Sequence, residues 1–530
     1  MKKFLVLALA AFAFAACSEK EENGNQPVQN GELEQSYVAI TLAADDLTRA
    51  DDGKYDKGRD EERAVKSAYV FFFEDGVAFP VAFDGTTSTN TGVQNYIRVD
   101  LTGKNENMNN VSDVKDAVLV LQKYKGEYPN QVVAVLNWTP TENSYNLSQL
   151  QDVISSLGND DNGYVMSNAV YANGNKEVVD AVALTAANIA KTEEVALENP
   201  ITIYVERVAA KVVFSSKDNG KFKVGKVEDT VDNTETTVYA QIKGFELYND
   251  YQTSYLIKRI NPNWADDANF GFTNWNDVDW FRSYWATSLS TGFPNNSFDW
   301  NNNVTELGGY VYCGENTRKW SAAEDVRTKV IVKAQLVKED GTTPVEVVNW
   351  WGKDYVGEGN LLKVVANTLK NTYFTSEDGA NFVGLTDKDI KCVVRGPQST
   401  NAYEVYFVIS DSSKPKKWYK YENGKYTEIK VDELNKELSA VQPARVYKEG
   451  MTYYWLDIKH LGKEGSTTEY GVVRNHVYQV NITDIKGYGT PVYDGNIDFV
   501  TPEKPVDINS FVAAQINILS WRVVANDYEI

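Results

Sequence analysis

The sequence predicts a mainly β protein of two domains with few short helices, and three observations lead there. The chain has 530 residues, more than one hydrophobic core usually organises. Its apolar stretches are short, rich in β-branched residues and bounded by Gly, Asn and Asp, the pattern of strands and turns. Aromatic residues abound, with 32 Tyr, 21 Phe and 12 Trp against 4 Met, a balance that suits sheets better than helical bundles.

The chain opens with Lys2 and Lys3 ahead of an unbroken apolar run, Phe4 to Ala16, that ends at Cys17. That run is shorter than the about 20 residues a helix needs to cross hydrocarbon. Residues 1–16 therefore form a targeting signal, and the small residues Ala15 and Ala16 directly before Cys17 suit a lipoprotein signal peptidase. Cys17 would then be the lipidated first residue; an ordinary secretory signal is the alternative, because Phe14 stands where Leu or Val is more typical. Residues 18–36 are Glu-, Asn- and Gln-rich with almost nothing to bury, and form a tether.

In the next segment Val38, Ile40 and Leu42 alternate with Ala39 and Thr41, as in a half-buried strand. Residues 43–63 are small, polar and charged, an exposed loop open to proteolysis, with Arg49 as its obvious tryptic-type site. Strands are expected at 68–74, 96–101, 117–122, 131–137, 164–166 and 201–214. A helix is expected where Leu147, Leu150, Val153, Ile154 and Leu157 recur at helical spacing, capped by Asn146 or Ser148 and ended by Gly158.

The polar run Ser215 to Gly220 marks the domain boundary, dividing 50–217 from 218–530. Second-domain strands are expected at 237–247, 330–336, 403–409, 452–458 and 472–485, separated by long loops. No fixed-period repeat is visible, which disfavours solenoids and propellers.

A formal net charge of −21 argues against a nucleic-acid partner, whose phosphates demand a basic surface. With Cys17 lipidated, Cys313 and Cys392 either pair or lie as two separately buried thiols. Neither His460 nor His476 has Cys or Asp at ligand spacing, and no nucleophile elbow, phosphate loop or dinucleotide fingerprint occurs. The reading is a non-enzyme without cofactor or metal. Trp264, Trp275, Trp280, Trp285 and Trp300 crowd a stretch rich in Asn and Asp. They either bury a long loop against the second domain or form a sugar-stacking surface.

Several segments resemble one family. Residues 204–214 (Tyr-Val-Glu-Arg-Val-Ala-Ala-Lys-Val-Val-Phe) resemble the strand that closes the first domain of fimbrillins from Bacteroidales. Residues 244–249 and 282–285 resemble second-domain segments, and the most specific stretch, Tyr470 to Pro491, resembles the C-terminal region of the major subunit of short, Mfa-type fimbriae. With residues 516–524 the resemblance spans essentially the whole chain. It implies two tandem transthyretin-like β-sandwiches. It also implies export as an outer-membrane lipoprotein, removal of residues 17–49 by an Arg-specific protease at the Arg49-Ala50 bond, and assembly at the cell surface with anchor and tip subunits.

Physical chemistry supplies a mechanism for that expectation. Before the cut, Val38, Ile40 and Leu42 fill a groove; afterwards the groove has exposed apolar walls and unpaired strand edges. Near the C-terminus Leu519, Trp521, Val523 and Ala525 share one strand face, with Ser520 and Arg522 on the other. Such a strand either enters the groove of the next copy, head to tail, building an open filament that supports adhesion, or is the last resident strand of the second domain. A phase shift between Ile516, Ile518 and Leu519 predicts a bulge or a junction there. The competing function is a non-polymerising surface lipoprotein or tip adhesin that binds glycans.

Overall fold

In the computed structural model the described residues are 35–43, 58–81, 94–99, 114–122, 124, 127–172, 177–230, 232–261, 286–290, 300–301, 304–318, 326–394, 404–460, 469–494 and 511–520. Among them the protein is mainly β, with several sheets and few helices, as the strand chemistry predicts.

The N-terminal part is a nine-stranded sheet. Its main path runs Val77–Ala78, Ala68–Glu74, Gln131–Leu136, Met166–Asn168, Ile201–Arg207, Gln35–Ala43 and Val114–Gln122. Alternation sends Val70, Phe72, Val132, Ala134, Ile201 and Ile203 into one apolar cluster, and Phe71, Phe73, Val133 and Val135 into another on the opposite face. Both faces are therefore covered, which is why Ala68–Glu74 and Gln131–Leu136 read as nearly continuous apolar runs.

The C-terminal part is two sheets packed face to face. An eight-stranded sheet centres on the antiparallel neighbours Lys221–Asp229, Thr234–Tyr248, Lys329–Val337 and Met451–Asp457. A four-stranded sheet has the order Tyr310–Gly314, Ala209–Ser216, His476–Lys486, Phe511–Ser520. Ala210, Val212, Phe214, Tyr478 and Val480 of the smaller sheet meet Val238, Ala240, Ile242, Val330 and Val332 of the larger one in a single core.

The chain changes sheets at Val208. Ile201–Arg207 runs in the N-terminal sheet and Ala209–Ser216 in the four-stranded one, so the stretch expected at 201–214 is two strands. The polar run at Ser215–Gly220 forms a tight turn, Lys217–Gly220, with left-handed backbone at Asp218 and Asn219.

Other expectations are corrected. The helix stops at Leu147–Asp152, where Asn146 and Gln149 make a reciprocal capping box. Residues Ile154–Ser156 then pair as a strand with Thr253–Tyr255, leaving Ile154 exposed although it had been counted with the helix face. The charged stretch expected as an exposed loop contains a one-turn helix, Asp60–Arg63, whose Glu62 is fully buried.

The largest feature not predicted is an insert carried by the eight-stranded sheet between Lys353–Val356 and Arg445–Tyr447, of which only the strand expected at 403–409 was read, as Val405–Ile409. It holds helices Gly357–Leu369 and Val431–Ser439, the hairpin Ile390–Val394/Val405–Ile409 and a small four-stranded sheet, around a core of Leu361, Val365, Phe407, Trp418, Leu434 and Leu438. Leu361 with Val365, and Leu434 with Leu438, stand four residues apart, which is the helical signal that could have revealed it. No helix among the described residues is long and apolar enough to cross a membrane. Cys313 and Cys392 are free thiols, Cys313 buried and Cys392 half-buried, which settles the two alternatives in favour of separate thiols.

Candidate strand-exchange site

The first strand, Gln35–Ala43, lies inside the N-terminal sheet and not at its edge. It runs antiparallel to Val114–Gln122 along its full length and parallel to Ile201–Arg207 at Ile40–Ala43. Val38 and Ile40 are essentially inaccessible and join the cluster with Val70, Phe72, Leu119 and Ile203. Each contributes about 1.5–3 kcal/mol of burial as an upper bound. Leu42 is paired through the backbone with Ile203 on one side and Lys115 on the other.

The expectation of a half-buried strand is corrected. Ala39 is also buried, packed with Ala190 and Ala196, the latter on the helix Glu193–Glu198 that covers the second face. An alanine at that position lets the helix approach closely, so small size and not polarity explains its place in the alternation. Cys17, Arg49 and Ala50 lie outside the described residues.

Where the chain resumes after the expected cut, it is held firmly. Glu62 accepts hydrogen bonds from Lys211 Nζ at 2.7 Å and Arg59 Nε at 3.1 Å, and from the Tyr312 hydroxyl. Arg207 Nε donates to the Glu62 carbonyl at 2.8 Å, and Arg59 Nη2 reaches Asp160 at 2.8 Å and the Tyr312 hydroxyl at 2.9 Å. Burial alone would raise the Glu62 carboxyl, but the hydrogen bonds from Lys211 and Tyr312 and the Lys211 charge outweigh it and hold the group below its usual range. Burial, reinforced by Glu62, pushes the Tyr312 hydroxyl up, so it stays a donor. Asn137 adds a second clasp: its amide donates to the carbonyls of Ala64 at 2.7 Å and Tyr164 at 2.9 Å, and its oxygen accepts from the Lys66 amide at 2.7 Å.

The final described strand, Phe511–Ser520, runs antiparallel to His476–Lys486 at the outer edge of the four-stranded sheet. Leu519 pairs with Val477. The expected irregularity among Ile516, Ile518 and Leu519 is absent: these residues pair in unbroken register with Val480, Tyr478 and Val477. The register shift falls instead between Ile482 and Asp484 of the partner strand, opposite Ala514 and Ala513. Trp521, Val523 and Ala525 lie outside the described residues.

A second buried ion pair ties the two parts of the molecule together. Arg474 donates to Glu315 at 3.2 Å and to the carbonyls of Tyr255 at 2.8 Å and Leu256 at 3.2 Å, with Ser254 Oγ at 3.1 Å. Nearby, His460 Nδ1 meets the Tyr478 hydroxyl at 3.0 Å, and His476 Nδ1 meets the Arg474 carbonyl at 2.7 Å, so both imidazoles serve core hydrogen bonds. Trp300 is buried with Tyr248, Ile331 and Tyr453 against the second domain, while Trp264, Trp275, Trp280 and Trp285 lie outside the described residues. Glu62 and Arg474 were not singled out from sequence as buried charges, and Arg207 and Lys211 entered only as part of the 204–214 stretch that carries the resemblance. Their signal was a charged side chain inside an otherwise apolar strand or charged loop, which counts only once its partner is known.

Fold and site define a class: a β protein in which one sheet holds its first described strand, Gln35–Ala43, in its interior, and another ends in the edge strand Phe511–Ser520. Residues 445–527 match the model described as "Major fimbrial subunit protein type IV, Fimbrillin, C-terminal", a match confined to the C-terminal part of the chain. The match contains the Tyr470–Pro491 stretch on which the resemblance rested.

No curated protein matches the chain. Among solved structures it is similar to a fimbrilin (fimA) from Porphyromonas gingivalis W83, at 12% identity over 92% of this chain and 98% of that one, with a TM-score of 0.37. It is also similar to a putative cell adhesion protein from Parabacteroides distasonis ATCC 8503, at 13% identity over 91% and 96%, TM-score 0.37. The tip fimbrial protein Mfa3 from Porphyromonas gingivalis follows at 12% identity over 91% and 99%, TM-score 0.29.

Proposed function

We propose that this chain is a fimbrillin, a shaft subunit of a surface fimbria, exported as a lipoprotein on Cys17, activated by an Arg-specific cut after Arg49 and polymerised by donor-strand exchange; the C-terminal family match at 445–527 supports the first part of that reading. The observation that carries the proposal is the position of Gln35–Ala43, an interior strand covered on both faces and followed by the segment containing Arg49.

Loss of that strand leaves Ile201–Arg207 and Val114–Gln122 each with an unpaired edge, flanking an apolar slot. The slot takes apolar side chains two residues apart, as at Val38, Ile40 and Leu42, and Trp521, Val523 and Ala525 repeat that spacing. Leu519 would remain with the parent sheet or mark the junction, while the residues beyond enter the neighbouring subunit. The contact is heterologous, so it extends into a filament and does not close. Capping of the two filament ends falls to anchor and tip subunits.

Treating the purified precursor with an Arg-specific protease, sequencing the new N-terminus and following assembly by electron microscopy tests the scheme. A new terminus at Ala50 with filaments is the expected result. Cleavage at that bond without filaments would move the chain to a tip or capping role, and an intact Arg49-Ala50 bond would refute the maturation step.

A further inference from the structure

Val114–Gln122 closes one end of the N-terminal sheet, and among the described residues its one strand neighbour is Gln35–Ala43. The two run antiparallel over all nine residues of the first strand, from Gln35 opposite Gln122 to Ala43 opposite Val114. On its other side the first strand pairs with Ile201–Arg207 only at Ile40–Ala43. Among the described residues, the backbone ladder that ties Val114–Gln122 to the body of the sheet therefore runs entirely through the first strand. Leu119 and Leu121 are buried, and they pack in the same cluster as Val38 and Ile40.

The helix Glu193–Glu198 leans on the same strand. It has six residues, well short of the about 12–15 at which an isolated helix becomes even marginally stable in water. Its N-cap, Thr192 Oγ1, accepts from the Val195 amide at 3.4 Å, a long bond. Ala196 is the buried residue of the helix, packed with Ala39 and Ala190, while Val195 is 48% exposed. The opposite wall is built differently. Ile201–Arg207 is also paired with Met166–Asn168, which pairs in turn with Gln131–Leu136 at the centre of the sheet.

We propose that Val114–Gln122 and Glu193–Glu198 form one local folding unit with the first strand, ordered only while a strand occupies its place. The slot then has one permanent wall, Ile201–Arg207, and a second wall and a cover that the occupant holds in position. A strand without a ladder has nothing to offset the entropy of its extended chain, and even a two-stranded hairpin is marginal alone. A helix of under two turns that loses its packing surface is in the same position.

The unit itself rests on pairing and packing in the uncut chain; its bearing on assembly rests on the strand-exchange reading. There it makes the empty groove an unstable species. The cut strand stays seated until a strand from the next copy displaces it, and the newcomer takes over the pairing that keeps Val114–Gln122 and the helix in place. Exchange thus proceeds by replacement at an occupied slot, which spares the subunit an interval with open edges on two strands.

Native-state hydrogen exchange on the uncut full chain, wild type and Ile40→Ala, tests the unit without cleavage or filaments. The substitution removes apolar contact made by the first strand, so amides of Gln35–Ala43 should exchange about thirtyfold faster or more. Those of Val114–Gln122 and Glu193–Glu198 should quicken by the same factor, while Gln131–Leu136 and Met166–Asn168 exchange as in the wild type. If Ile40→Ala does not fold, Val38→Ala, which removes less, should show the same pattern at about tenfold. Acceleration confined to Gln35–Ala43 would overturn the proposal. So would equal acceleration of Gln131–Leu136, which would make the sheet one cooperative unit. Because the readout is the uncut chain, a failure here is separate from a failure of the Arg49 cut or of filament growth in the protease experiment.

Discussion

Two strands near opposite ends of this chain look alike in sequence and differ in what they hold up. Gln35–Ala43 has a paired neighbour on each side and apolar cover above and below. Phe511–Ser520 has one neighbour, His476–Lys486, and ends its sheet. Removing the first opens the interior of a sheet; removing the second bares one edge. The lesson is that alternation of apolar residues marks a strand, while its energetic weight depends on how many neighbours it joins.

The comparison breaks most easily at Ile40. Ile40→Asp in the uncleaved chain places a carboxylate in the apolar cluster of Val70, Phe72 and Ile203 and should cost more than about 4 kcal/mol, abolishing the folded N-terminal sheet. Ile40→Ala should cost about 3 kcal/mol, read as a drop in the urea midpoint. If both variants melted like the wild type, the first strand would not be the structural element described here.

A somewhat smaller effect is expected at the clasp that remains when the first strand is gone. Lys211→Met removes the 2.7 Å partner of buried Glu62 and should destabilise the chain by about 3 kcal/mol. Because the folded-state pKa of Glu62 is depressed, its stabilisation is present above the ordinary value of 4.5 and is lost as pH falls through the lower folded value. Urea midpoints at pH 7, 5 and 3 should therefore fall more steeply for the wild type than for Glu62→Gln, with the difference confined to the acid end. Parallel slopes would show that Glu62 does not titrate with unfolding.

At the edge strand the stability effect should nearly vanish. Deleting residues 523–530 is expected to change the unfolding free energy by less than about 0.5 kcal/mol while eliminating filaments after protease treatment. Fibres of normal length from this deletion would remove the donor-strand role. The smallest response concerns the thiols. Burial drives Cys313 well up, and burial together with Glu358 pushes Cys392 up to about 12. Neither should react with a maleimide at neutral pH in the monomer. Cys313 lies on Tyr310–Gly314, at the opposite edge of the sheet from Phe511–Ser520 with two strands between them, so its labelling in the filament would show that strand exchange loosens the whole sheet.

Local pattern and tertiary context divided the work unevenly. The sequence alone determined that the protein is mainly β, where many of its strands lie and that Val38 and Ile40 share a face, because a period of two in apolar residues is a property of the strand itself. It narrowed the helix cap to Asn146 or Ser148, of which the structure uses Asn146, and marked the polar run at Ser215–Gly220 as a break in the strands. Only the tertiary structure decided that Gln35–Ala43 is interior, that Ala39 is covered by a helix, and that Ile154 belongs to a strand. Glu62, Lys211 and Arg474 could be interpreted only there as well, since a charge is favourable or costly in a core according to partners brought from 149 and 159 residues away. The insert was hidden because its helices are short and amphipathic, and their apolar stripes gain meaning from the core that Trp418 and Phe407 supply. Periodicity is written along the chain, but neighbours across a sheet and partners for buried charge exist only after the chain has folded.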